Sequence, residues 1–251
     1  MSAVTDLASP LAGHTCVATR VDLFCSIHKA LRLFMADSAC ALGRLDVQDE
    51  EELRATLAQL VSLLALLRRH VQLENEFVHP AIEQRLSGAS LRSEDEHAEL
   101  LHTMSVLETE AHALRVLAPG QRQVPAHQLY QRFSLFFADK VRHLHIEESN
   151  LNAALWAHYS DSELLELQDH MVQHLGPAEL GVITHWLAPA VTRQELVSFL
   201  NGVQAKLPAQ AYTALVEHAR VRCGAVCWKK GTGADGAVNE FAKSTSHGEF
   251  P

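Results

Sequence analysis

Apolar residues recur every three or four positions along most of the chain, the period expected of helices that bury one face. From Val21 the stripe reads Phe24, Leu31, Met35 and Leu42, with His28 in the same phase. A second stripe runs through Leu53, Leu57, Leu60, Leu63 and Leu67 and continues through His70, Glu74, Phe77 and Ala81. A third passes His97, Leu101, Met104, Ala111 and Leu114, with Leu100 and Leu107 beside it. The fourth carries Leu129, Phe133, Phe136 and Phe137 before it reaches His143, Glu147, Leu151 and Leu155. Turn signals at Gly43, at residues 87–90, at Ala118-Pro119-Gly120 and at Tyr159-Ser160-Asp161 separate the stripes by short connections. Helices joined in this way are most simply an all-α, up-down-up-down antiparallel four-helix bundle over residues 19–160.

Start signals refine this outline. The polar run Asp46 to Glu52 opens the second helix, Ser93-x-x-Glu96 reads as a capping box for the third, with Ser90 as an earlier alternative, and Pro125 suits a first turn. Pro80 falls inside the second pattern and predicts a kink or weakened turn there. Additional C-terminal helices follow over 161–223, at Glu163–Leu175, Glu179–Leu187, Gln194–Leu207 and Pro208–Cys223. Capping boxes at Ser160/Glu163 and Thr192/Glu195 support them. None is long enough for a second bundle, so they are expected to pack on the first or cover one end. Residues 1–18 read as a flexible arm and 224–251 as a disordered tail.

Composition narrows the partners. A formal charge of −9 disfavours nucleic acid and anionic membrane, and no apolar run reaches the roughly 18 to 20 residues of a membrane span. Five cysteines without a paired framework, after an N-terminus lacking a basic and apolar leader pattern, imply a reducing, cytoplasmic location. Cys223 and Cys227 lack zinc-knuckle spacing, and His170 and His174 read as a surface pair without accompanying carboxylates.

Sixteen histidines are the compositional oddity, and a partial duplication gives some of them meaning. RHVQLENEFVHP from Arg69 returns in altered form as RHLHIEESNLNA from Arg142, so His70/Glu74 and His143/Glu147 are both spaced to share a helix face. Facing one another, the two pairs would suit two iron ions. His28 and His97 occupy the inward phase of the other two helices, whereas His102 and His145 point elsewhere. A carboxylate such as Glu74 on a buried face needs a cation or a route to water.

The ordered set His28, His70-x-x-x-Glu74, His97, His143-x-x-x-Glu147 resembles the hemerythrin-like, cation-binding family, with IHKALR and HVQLENEFVHP similar to its first two helix signatures. The resemblance covers about residues 20 to 160. HYSDSELLELQDHMVQHLGPAELGVITHWLAPAVTRQE is similar to the continuation in plant iron-sensing ubiquitin ligases, without a RING portion. The resemblance implies an oxo- or hydroxo-bridged centre of two non-haem iron ions, with His28 and His70 on one iron, His97 and His143 on the other, and Glu74 and Glu147 as bridges. It implies dioxygen or another small diatomic as ligand, a sensor of oxygen, iron or redox state as function, and leaves the C-terminal helices for a protein partner. Oxygen carriers of the family have a further histidine where this chain has Leu101, which puts reversible carriage in question and favours sensing. Glu94 reads as a solvated first-turn acid. The alternatives are a di-iron enzyme acting on peroxide or nitric oxide or supplying iron for iron–sulfur repair, and an adaptor with a vestigial site.

Overall fold

The computed structural model describes residues 20–229, with side chains to residue 224, and among these residues it contains helices and no strand. The expected N-terminal arm and the tail beyond residue 229 lie outside the described residues. Helix α1 spans Cys25–Arg44 and α2 spans Glu50–Leu73; α2 passes through a π-helical turn, Glu74–Val78, into α3, His79–Arg85. Then come α4 (Leu91–Val116) and α5 (Gln123–Ile146), and α5 passes through a second π turn, Glu147–Leu151, into α6 (Asn152–His158). Helices α7 (Asp161–Gln173), α8 (Pro177–Ala190), α9 (Arg193–Gln204) and α10 (Ala209–Lys229) complete the chain, α10 running past the expected boundary at residue 223.

Local chemistry accounts for most boundaries. Asp49 accepts from the amides of Glu51 and Glu52 at the start of α2, and Asp22 does the same for Phe24 and Cys25 before α1. Reciprocal capping boxes form at Ser160/Glu163 and Thr192/Glu195 as expected. Ser93/Glu96 forms none: α4 starts after Ser90, so Ser93 is buried one turn inside it and Glu96 is released for another task. Cys25 is disulfide-bonded, a pairing that the cysteine count gave no reason to expect.

Four long helices close a ring of contacts, α1 with α2, α2 with α4, α4 with α5 and α5 with α1. The ring is a helical bundle whose core is the set of stripes read from the sequence: Leu31, Phe34 and Met35, then Leu60, Leu63, Leu64 and Leu67, then Met104 and Leu107, then Leu129 and Phe133. Two stripes differ in detail. After Glu74 the buried residues are Val78 and Ile82, not Phe77 and Ala81, because the π turn inserts one residue's worth of rotation. On α4 the seam is His97, Leu100, Met104, Leu107, Ala111 and Leu114, which leaves Leu101 half-buried on its flank.

The C-terminal helices pack on the bundle. Helix α8 lies between α1 and α10, and Trp186 stacks on Phe34 with ring centroids 4.0 Å apart and planes 12° from parallel. Lys29 of α1 pairs at 2.6 Å with Glu195, the same carboxylate that caps α9. No helix among the described residues is long and apolar enough to cross a membrane. Because Phe34 and Trp186 fill one shared core, Trp186→Ala should destabilise bundle and extension together, by about 3 to 5 kcal/mol in urea unfolding followed by circular dichroism. An unchanged midpoint, or two separate transitions in the wild type, would show that the extension folds without supporting the bundle.

Candidate metal centre

Six residues that the sequence pattern singled out converge inside the helix ring. His28 comes from the first turn of α1, His70 from the last turn of α2, His97 from the second turn of α4 and His143 from the end of α5. Glu74 and Glu147 are each the first residue of a π turn. All six are buried, the carboxylates to 1% and 0% exposure. His28 Nε2 stands 3.2 Å from His70 Nε2, while the rings of His97 and His143 meet edge-on with centroids 4.7 Å apart.

The two carboxylates lie between these histidine pairs and divide their oxygens. Glu74 Oε1 is 3.2 Å from His70 and 3.9 Å from His28, and its Oε2 is 3.5 Å from His97. Glu147 Oε1 is 2.7 Å from His143 and 3.2 Å from His97, and its Oε2 is 3.6 Å from His28. Two groups of potential ligand atoms result, His28/His70/Glu74/Glu147 and His97/His143/Glu147, and each could hold a metal ion. Both oxygens of Glu74, Oε2 of Glu147 and Nε2 of His143 have no hydrogen-bond partner among the described residues. Orphaned carboxylate oxygens at this depth are costly, and cations placed between them and the imidazoles would satisfy them. The imidazole and carboxylate donor set suits a transition-metal cation and does not by itself single one out.

The outer face of the cluster is fixed by residues to which the sequence pattern gave no part in the cluster. Asn75 Oδ1 is 2.7 Å from His97 Nδ1, Glu96 Oε2 is 2.8 Å from His143 Nδ1, and Glu148 Oε1 is 3.0 Å from His28 Nδ1. Such partners set the tautomer that presents Nε2 inward. Arg32 binds both oxygens of Glu148, and Arg92 holds Glu96. Each of the three is a chain neighbour of one ligand and serves the ligand of another helix. Their sequence signal was only that polar residues adjoin Glu74, His97 and Glu147.

Burial and charge move His28, His70 and Glu147 in different ways. His70 is pushed down to about 3, chiefly by burial and further by Lys140 and His28, against the pull of Glu74. His28 is buried as deeply, yet Glu148, Glu74 and Glu147 outweigh that and raise its pKa. Burial raises Glu147, and Lys140, His143 and His97 overcome it, holding the carboxyl well below the usual range. Burial likewise opposes ionisation of Glu148, but hydrogen bonds from His28 and Arg32 bring it to about 2.

His102 and His145 are exposed, as their phase predicts, and so are His170 and His174. Glu94 is an exposed first-turn acid bonded to Ser90. His79, given no role by the sequence pattern, is buried and stacks on His97 at 4.9 Å. Lys140, also unassigned, is fully buried on the inward face of α5. A cleft of about 280 Å³ between α4 and α5 reaches the cluster from outside, lined by Glu96, Leu100, Phe136, Asp139 and His143 among others.

Comparison with protein-family models gives no match, and comparison with curated protein sequences gives none either.

Two tests follow from the local geometry. Glu96→Ala should weaken binding of a divalent cation about 10- to 100-fold in competition with a chromophoric chelator, while Arg92→Ala, at an exposed side chain, should change it little. Equal effects would mean that Glu96 does not orient His143. In the metal-free protein, folded His70 refuses a proton down to about pH 3, whereas an unfolded histidine takes one near 6.5. Its contribution to stability is therefore present above 6.5 and lost as pH falls toward 3; His28, whose pKa is raised, contributes fully below 6.5 and loses that contribution as pH rises through its folded value. His70→Gln should flatten the fall of the urea midpoint between pH 6.5 and about 4.5, where carboxylates begin to contribute. A slope equal to wild type would remove His70 as the linked group.

Proposed function

We propose that this chain is a non-haem di-iron protein of the hemerythrin-like type, which binds or senses dioxygen, iron or redox state. The reading rests on one observation: Glu74 and Glu147 each direct one oxygen to the His28/His70 side and the other to the His97/His143 side. A carboxylate that serves only as an internal ion-pair partner has no need to divide in this way, whereas one that bridges two cations must. In this reading the long helices run up-down-up-down, because ligands early in α1 and α4 meet ligands late in α2 and α5 at one level only when successive helices alternate in direction.

Two iron ions would supply one-electron chemistry and open positions for a small ligand. The chain's own residues do the rest. Nε2 atoms of four imidazoles face inward, those of His28, His97 and His143 held so by Glu148, Asn75 and Glu96, and the apolar residues of the bundle shield the cluster from bulk water. The family's extra histidine position corresponds to Leu101, on the flank of the α4 seam, so the His97/His143 side has fewer nitrogen donors than an oxygen carrier would. That deficit favours sensing over carriage, because an open position on ferrous iron promotes oxidation as readily as reversible binding. The C-terminal helices remain the proposed surface for a protein partner.

Iron loading under anaerobic conditions followed by metal analysis should give close to two equivalents per chain. Glu74→Gln and Glu147→Gln should each lose most of the iron, since one bridge alone cannot span both ions, and His145→Ala should retain it. A single tightly held zinc, or equal losses at His145 and His143, would refute the assignment.

A further inference from the structure

A second pair of imidazoles faces nitrogen to nitrogen in the C-terminal helices. His185 lies in α8 and His218 in α10, and these two helices pack against each other. His185 Nδ1 is 3.2 Å from His218 Nε2, with ring centroids 5.2 Å apart and planes 29° from parallel. The same 3.2 Å separates the facing Nε2 atoms of His28 and His70 in the buried cluster. Two imidazole nitrogens on one tetrahedral zinc ion lie about 3.3 Å apart, given bonds of about 2.0 Å. The facing atoms are therefore at chelating distance without movement of either helix.

The surroundings suit a neutral ligand pair. Both rings are half-buried, so neighbours hold them in place while an ion from solvent can still reach them. Trp186 meets the ring of His185 edge-on at 5.1 Å, and the carbonyl of His185 accepts from Arg222 Nε at 3.1 Å. The charged groups acting on His185, besides His218, are Arg222 of α10 and Asp37 of α1; burial first and then Arg222 outweigh Asp37 and lower its pKa. His185 is thus neutral at pH 7, the state in which an imidazole binds a metal. Arg222 counts against a bound cation by its charge, but coordination by imidazole nitrogen does not require an opposite charge.

We infer that His185 and His218 form a two-histidine site for a zinc-like divalent cation, which clasps α10 to α8. Without the ion, one facing nitrogen donates a hydrogen bond and the other accepts it. On binding, the shared proton moves to the other nitrogen of its own ring, so both lone pairs meet the ion and two neutral rings release no proton. Water completes the coordination, which makes the site open and exchangeable rather than closed. Helix α10 packs on α8 and α9, and α8 rests on α1, so the ion fastens the last helix to the layer that covers the bundle. The inference does not depend on what fills the Glu74/Glu147 cluster.

Zinc titration of the full chain, loaded beforehand with iron, tests this by calorimetry and by hydrogen exchange across α10. Wild type should bind one zinc ion that His185→Gln and His218→Gln each bind at least about tenfold more weakly, since losing a ligand costs no less than losing a residue that orients one. Zinc should slow exchange in α10 of the wild type and not of the variants, an effect that a packing role for the two rings would not produce. Equal zinc binding by wild type and both folded variants would overturn the site, and bound zinc without slower exchange in α10 would overturn the clasp. Should either variant fail to fold, modification of the wild type by diethyl pyrocarbonate decides: zinc should protect His185 and His218, and full reactivity of both in its presence would overturn the proposal. Failure of the chain to hold iron alters wild type and variants alike, and so bears only on the cation-pair reading.

Discussion

Two carboxylates buried among four imidazoles set the terms for the rest of this protein. Glu74 and Glu147 have almost no contact with solvent, and among the described residues most of their oxygens lack a hydrogen bond. Each would cost the fold several kcal/mol if left uncompensated. The bundle surrounds them with one histidine from each long helix, so no single helix can leave without exposing or orphaning the cluster. That dependence makes the site a structural keystone as well as a candidate for chemistry. Its stability without cations is expected to be lower than the size of the apolar core suggests.

The partners outside the cluster follow a direction around the ring. Asn75, just past α2, reaches the histidine of α4; Glu96 on α4 reaches that of α5; Glu148, just past α5, reaches that of α1. A residue next to a ligand in sequence is turned about 100° from it around the helix, which aims it across the groove at the adjacent helix. One geometric rule therefore links four helices in series, from α2 through α4 and α5 to α1. The same rule explains why phase alone could not reveal these residues: it marks them as rim positions, and only the identity of the facing helix gives them a task.

What the sequence made legible was the part governed by the helical period. His28, His70, His97 and His143 are inward because their apolar neighbours three and four residues away are inward, and Glu74 and Glu147 follow by the same spacing. The departures come from rotations that the period does not encode. A π turn begins at each glutamate, and in the first copy it moves burial from Phe77 to Val78. Pro80 suggested a disturbance at that point, but the second copy has no proline and makes the same turn, so proline is not its common cause. Ser93-x-x-Glu96 matched a capping box because a motif of two residue types cannot distinguish a helix start from its second turn. Lys140 went unnoticed because a lysine between apolar positions ordinarily carries its charge to the surface along its own stem.

The two halves of the cluster are held in different surroundings. On the His28/His70 side, α1 is backed by α8 through the Phe34–Trp186 stack and by α9 through Lys29–Glu195, while Arg69, next to His70, reaches Glu179 and the carbonyl of His174. On the His97/His143 side, no such cover lies on the α4–α5 face among the described residues; its cleft descends to His143, and Leu135 on the rim is 71% exposed. Packing of this kind limits movement of the first pair and leaves the second free to respond to what reaches it from solvent. A change in charge or coordination at His143 is transmitted first to Glu96 and to the shared carboxylate of Glu147, and through Glu147 to His28 and α1. Helix α1 is the bundle element on which α8, and through Lys29–Glu195 also α9, rests. The shared carboxylate is thus the shortest mechanical link between the solvent-facing half of the cluster and the surface proposed for a partner.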